Sequence, residues 1–156
     1  MLIKENEKVP AFSLVNEKEE LITSESMLGK KYILFFYPKD DSPGCTKEAC
    51  SVRDNYKSLQ KKGYDVLGIS PDKAKKHQKF IDKYELQYSL LADTEKKMIE
   101  DFGLWGPKQF MGREIHGVYR TTVIVNEKGI ITKIISKVVT KRHGDQILEA
   151  IEELNA

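Results

Sequence analysis

The chain has 156 residues, 40% of them hydrophobic, with 26 basic against 24 acidic side chains and a net charge of +2. That length and composition predict one domain, residues 1–156, around one sizeable core. The near balance of charge gives no electrostatic reason to expect nucleic acid or an anionic membrane as a partner.

Residues 1–8 lack the apolar stretch of a secretory signal, and no run approaches membrane-spanning length, so the expectation is a soluble, cytoplasmic protein. Residues 9–15 and 20–23 flank the polar Asn16-Glu17-Lys18-Glu19, which predicts an amino-terminal hairpin. Gly29 ends the segment that follows. The run Tyr32-Ile33-Leu34-Phe35-Phe36-Tyr37 reads as a buried strand; two prolines and Gly44 stop it. From Thr46 the pattern is helical, with Ala49, Val52, Tyr56 and Leu59 at three- and four-residue spacings. Gly63 is placed to end that helix, and residues 64–70 read as the next strand. Strand, helix, strand in that order predicts a parallel pair.

Pro71-Asp72 opens a second helix with Ala74, His77, Phe80, Ile81 and Tyr84 on one face and Lys73, Lys75, Lys76, Lys79 and Lys83 elsewhere. The lysines read as a solvated face, and His77 as a core or boundary residue rather than a ligand. Residues 88–92 form a short strand, and 94–102 a short helix closed by Gly103. Residues 104–117 show no period and read as a loop carrying Trp105, Phe110 and Met111, either pinned to the core or walling a site or meeting a partner. Residues 118–125 and 130–138 flank Asn126-Glu127-Lys128-Gly129, a hairpin signal that adds an antiparallel edge. His143 or Gly144 begins a terminal helix with Ile147, Leu148, Ile151 and Leu154 inward. The sum is α/β: a thioredoxin-like fold, a mixed central sheet with helices on both faces and an amino-terminal hairpin.

Both cysteines lie where the buried strand gives way to a helix. Cys45 falls at or just inside the helix N-terminus, where unpaired N–H groups and the helix dipole favour thiolate over thiol, so it is a candidate nucleophile. Cys50 is five residues on, roughly 140° around the axis and about 7.5 Å along it. The resulting Cα separation of about 8 to 9 Å exceeds the roughly 7 Å limit of a disulfide. Either the two never pair, or they pair only after the helix unwinds; a static staple is excluded. In a reducing compartment such a pair is reactive or redox-cycling rather than a permanent crosslink. No second Cys or His pair stands at metal-ligand spacing, His77, His116 and His143 being isolated, and Cys-x-x-Cys is absent. Arg120 interrupts the strand of residues 118–125. A charge there needs a partner. The strand alone allows an edge arginine with a snorkelling stem. Beside a reactive cysteine, a fixed cation would favour thiolate and bind a developing oxyanion.

These residues resemble the peroxiredoxins, and within them the bacterioferritin-comigratory, or Q-type, group. Pro38, Ser42 and Cys45 are similar to the family's Pro-x-x-x-Thr/Ser-x-x-Cys motif, and Cys50 to the group's helix-borne resolving cysteine. Arg120, in Tyr119-Arg120-Thr121-Thr122, matches the family's active-site arginine. The likeness also takes in Trp105-Gly106 and residues 112–117, and runs in register over nearly the whole chain. Ser42 stands where this group more often has threonine, which keeps the hydroxyl but loses a rotamer-restricting methyl.

The resemblance implies a thiol-dependent peroxidase acting on hydrogen peroxide and organic hydroperoxides, with Cys45 peroxidatic and Cys50 resolving. It further implies Ser42 and Arg120 as partners of thiolate and peroxide oxygen, and Pro38 as an apolar wall. Thioredoxin or a similar dithiol would be the reductant, with no bound cofactor and no metal, in a monomer or at most a weak dimer. Competing readings are a thioredoxin-like disulfide oxidoreductase, a peroxide sensor signalling through Cys45, and a non-catalytic interaction domain. The first lacks Cys-x-x-Cys.

Overall fold

The computed structural model describes all 156 residues. Its centre is β3 (Lys31–Phe36), where Ile33 to Phe36 are almost completely buried because both faces are covered. β3 pairs in parallel with β4 (Tyr64–Ser70), which pairs in parallel with β5 (Ser89–Ala92). On its other side β3 pairs antiparallel with β8 (Thr121–Val125), which pairs antiparallel with β9 (Ile131–Ile135). The order β5-β4-β3-β8-β9 is the expected mixed sheet with its antiparallel edge.

The period-two alternation of a strand sorts β3 into two cores. Ile33, Phe35 and Tyr37 face α1 (Pro43–Asp54), α2 (Tyr56–Lys61), α3 (Ala74–Tyr84) and α5 (His143–Asn155), packing with Val52, Leu59, Phe80, Ile147 and Ile151. Tyr32, Leu34 and Phe36 face the other way, with Phe12 beside the amino-terminal hairpin and Met98 and Ile99 of α4 (Lys97–Asp101). That hairpin is β1 (Ser13–Val15) against β2 (Leu21–Thr23), with Leu14 opposite Ile22. The cysteine helix is therefore pressed onto the centre of the sheet.

Several boundaries differ from the sequence reading. The cysteine helix begins at Pro43, because proline's fixed φ and missing N–H suit the first helical position. It breaks at Asn55, whose side-chain amide turns back to the Ser51 carbonyl at 2.8 Å, before α2. Gly63 follows α2 with φ of 87°, the left-handed turn expected of it. The helix read over 94–102 shortens to α4.

The largest correction concerns 104–117, which is not a loop. Trp105–Phe110 forms β6 and Arg113–Val118 forms β7, an antiparallel ribbon with Trp105 opposite Val118 and Phe110 opposite Arg113. Most of β7 is exposed, so no core face imposed the apolar alternation that marks a strand. Val118 consequently belongs to β7, and the strand read over 118–125 begins only at Thr121.

Candidate active site

The turn from β3 to α1 builds the site. Ser42 holds the extended position before the helix, Pro43 and Gly44 are the first two helical residues, and Cys45 is the third. The Ser42 carbonyl accepts the Thr46 N–H at 2.8 Å, which leaves the earlier N–H groups without intrahelical partners. The Ser42 hydroxyl does not cap the helix; it donates to the Lys39 carbonyl at 3.0 Å. Cys45 is only 1% exposed and packs within the core.

Two cations lie close to this turn. Arg120 is not inside a strand as expected but in the two-residue link between β7 and β8, where backbone pairing does not constrain it. A Cβ on Gly44 would stand 3.0 Å from Arg120 Nη2, so the missing side chain lets the guanidinium lie against the first turn of α1. The second is Lys108 of β6, whose Nζ donates to the Val118 carbonyl at 3.0 Å. Its pKa is held down by burial and by Arg120, and pushed back up by Cys45. Lys108 escaped sequence reading because only the unseen ribbon pairing brings it to the cysteine.

Arg120 is a paired arginine rather than a snorkelling one: its Nη1 is 2.7 Å from Oε1 of Glu48, which is fully buried. Glu48 was also missed, since Lys47-Glu48 looks like a solvated step of an amphipathic helix. Its one signal is its place three residues after Cys45, on the same face. Burial raises its carboxyl to about 7 against the opposing pull of Arg120. His143, read only as a helix start, is fully buried beside it, with Nε2 2.6 Å from Thr122 Oγ1.

α3 holds the turn from behind. Asp40 is buried; Tyr37 donates its hydroxyl to Oδ1 at 2.6 Å, and His77 Nδ1 lies 2.6 Å from Oδ2. His77 Nε2 is 2.9 Å from the Leu91 carbonyl and must donate to it, so Asp40 and Nδ1 share one proton. The Asp40 N–H donates to Asp72 Oδ2 at 2.7 Å. Asp41, in the left-handed region at φ 62°, accepts from Lys83 at 2.7 Å and Tyr84 at 2.6 Å. Oxygens of Asp40 and Asp72 and a His77 nitrogen lie within 4.8 Å of one another, a possible metal arrangement. Each is already bonded within the protein, Asp72 also by Ser70 and Lys76, so the group acts as a clamp. His77 is thus the core residue its helical face predicts.

Cys50, half-buried, has its thiol pushed up chiefly by burial. Both cysteines are free thiols on α1. Around Cys50 the helix is tied from outside: Tyr88 donates to the Ala49 carbonyl at 2.7 Å, Arg53 Nη1 to the Tyr84 carbonyl at 2.7 Å, and the Gly144 N–H to Ser51 Oγ at 2.9 Å. The structure thus gathers Ser42, Cys45 and Arg120 at one helix end, with Pro38 at the start of the turn and Cys50 on the far side of the same helix.

Residues 6–134 match the model of the AhpC/TSA family. The chain is 37% identical to the peroxiredoxin Bcp of Escherichia coli strain K12 over 151 residues, 97% of each chain. It is 36% identical to the peroxiredoxin Bcp of Bacillus subtilis strain 168, over 99% of each. Among solved structures it is similar to BcpB of Mycobacterium tuberculosis, with a TM-score of 0.85 at 28% identity over 99% of both chains. It is also similar to the Xanthomonas campestris bacterioferritin comigratory protein, which has alkyl peroxide reduction activity, with a TM-score of 0.84 at 26% identity over 91% and 90% of the two chains.

Proposed function

The chain belongs to the AhpC/TSA family as a peroxiredoxin of the Bcp type, a thiol peroxidase, and on that premise we propose how its residues divide the reaction. Cys45 thiolate attacks one oxygen of the peroxide; the O–O bond breaks, the sulfur becomes a sulfenic acid, and the departing oxygen takes a proton to leave as water or an alcohol. Arg120 and the free N–H groups at the start of α1 stabilise charge on sulfur and oxygen. The Ser42 hydroxyl turns from Lys39 to donate to them, and Pro38 offers a wall without a donor. Lys108 adds a second positive charge.

Cys50 thiol then displaces hydroxide from the Cys45 sulfenic acid, giving a disulfide within one chain and releasing water. A dithiol such as thioredoxin reduces it. Hydrogen peroxide and organic hydroperoxides are both substrates in this reading, residues 1–156 are its single domain, and the enzyme works as a monomer or weak dimer. Its setting is the cytoplasm, where such pairs return to the thiol state between turnovers.

The observation that carries the reading is the Arg120 guanidinium resting against the helix turn that ends in the buried Cys45. The test is peroxide consumption coupled to thioredoxin and its reductase. Turnover that disappears in Cys45→Ser supports it; retention of more than a small residue of turnover in that variant rejects it.

A further inference from the structure

Arg120 satisfies one oxygen of Glu48 and leaves the other in an unusual position. Oε2 is buried without a hydrogen-bond partner and faces His143 Nε2 at 3.6 Å. The opposite edge of the imidazole fixes its tautomer. His143 Nδ1 is 2.9 Å from Gln146 Oε1, an oxygen that also accepts the Val139 N–H at 2.8 Å, while Gln146 Nε2 donates to the Lys137 carbonyl at 3.0 Å. With the amide so oriented, Nδ1 must carry a hydrogen, and in a neutral ring Nε2 carries none. That lone pair accepts the Thr122 hydroxyl at 2.6 Å, so an ionised Glu48 would leave Oε2 a bare carboxylate oxygen in the protein interior, with no donor to satisfy it. A buried carboxylate oxygen that no donor satisfies is costly unless it carries a proton itself.

We propose that Glu48 and His143 hold one proton between them, and that this proton sets how much positive charge Arg120 presents to Cys45. Both are positioning residues, since neither touches the peroxide. With the proton in place Glu48 is neutral and the guanidinium keeps its full charge for thiolate and leaving oxygen. When the proton is lost, Glu48 and Arg120 form a neutral ion pair and the site loses a cation.

The surroundings agree on where the proton sits. Burial raises Glu48 to about 7, whereas burial and then Arg120 act to lower His143, which falls to about 4. The proton therefore resides on Glu48. From their ordinary values of 4.5 and 6.5, the unfolded chain between those limits carries it on His143 instead. Folding moves it from the imidazole to the carboxyl. The groups facing Glu48 are Arg120 from the link before β8, His143 from α5 and the Tyr88 hydroxyl from the side of β5. Lys108 and Cys45 act beyond Arg120.

The proton does not depend on the peroxidase reading, although its effect on Arg120 does, and the test separates the two. Carbon-13 and nitrogen-15 NMR of the full reduced chain should show His143 as the neutral Nδ1–H tautomer at about pH 6, with the Glu48 carboxyl titrating near 7. A doubly protonated His143, or a Glu48 that ionises with free carboxylates near about 4.3, overturns the pair. For the consequence, the rate of the first reaction with hydrogen peroxide is compared between the natural protein and Glu48→Gln, which cannot ionise. Their ratio should fall by up to about tenfold between about pH 6 and pH 8, as a group titrating near 7 loses its proton. A ratio independent of pH overturns the link to Arg120.

Discussion

Tyr88 donates its hydroxyl to the carbonyl of Ala49 at 2.7 Å, one residue before Cys50 on the helix that carries both cysteines. The bond comes from outside the helix, so it resists any unwinding of α1. A disulfide needs S–S contact at about 2.05 Å, and an ideal helix holds residues five apart at about 8 to 9 Å. Tyr88→Phe should therefore speed formation of the Cys45–Cys50 disulfide. A net hydrogen bond of about 0.5 to 1.5 kcal/mol corresponds to a few-fold to about tenfold. Rapid-quench mass spectrometry after one equivalent of peroxide measures it; an unchanged or slower rate means the tie does not limit resolution.

Arg120→Ala removes the guanidinium from the first turn of α1 and leaves buried Glu48 without its cation. Loss of one donor to a developing oxyanion costs about 10² to 10³ in rate, and the same order is expected for peroxide attack here. Alkylation of Cys45 by iodoacetamide should slow in parallel, because it too requires thiolate. If both rates are unchanged, Arg120 serves only to satisfy Glu48.

Cys50→Ser should leave the first reaction with peroxide intact, because Cys50 lies on the other side of α1 from the attacking sulfur. Recycling by thioredoxin should stop, with Cys45 accumulating as sulfenic and then sulfinic acid by mass spectrometry. Normal cycling would show that reductant reaches the sulfenic acid directly.

Glu48 also makes stability depend on pH. Its folded pKa of about 7 lies above its ordinary 4.5, so between these values the folded protein holds a proton that the unfolded glutamate lacks. The contribution is present in full below 4.5 and is lost as pH rises through about 7. Glu48→Gln has no such titration. Urea unfolding should show the variant gaining about 3 kcal/mol on the natural protein across that window. Parallel pH curves would place Glu48 as an ordinary ionised partner of Arg120.

The parts of this molecule open to sequence reading are those with a strong local period. β3 announces itself because the six consecutive apolar side chains from Tyr32 to Tyr37 suit a strand covered on both faces, and α3 because its apolar stripe contrasts with its lysines. The β6–β7 ribbon was hidden for the opposite reason: it lies mostly in solvent, so backbone pairing rather than burial defines it. The site divides likewise. Cys45, Cys50 and Ser42 share one contiguous motif with a helix boundary in it. Glu48, Lys108 and His143 come from α1, β6 and α5, and only the packing of α1 against the sheet and α5 gives them their roles. Asp40 and His77 are 37 residues apart, and no local pattern connects the turn to the helix that clamps it.

The pairing of Cys45 with Cys50 requires the helix between them to open, and hydrogen exchange compared between the reduced protein and its disulfide form tests this most directly, once mass spectrometry has confirmed the intramolecular bond. Amides from about Thr46 to Arg53 should lose protection on oxidation, while α3, Ala74–Tyr84, keeps it. Equal protection of α1 in both forms would contradict the unwinding step and, with it, the assignment of Cys50 as the partner of Cys45.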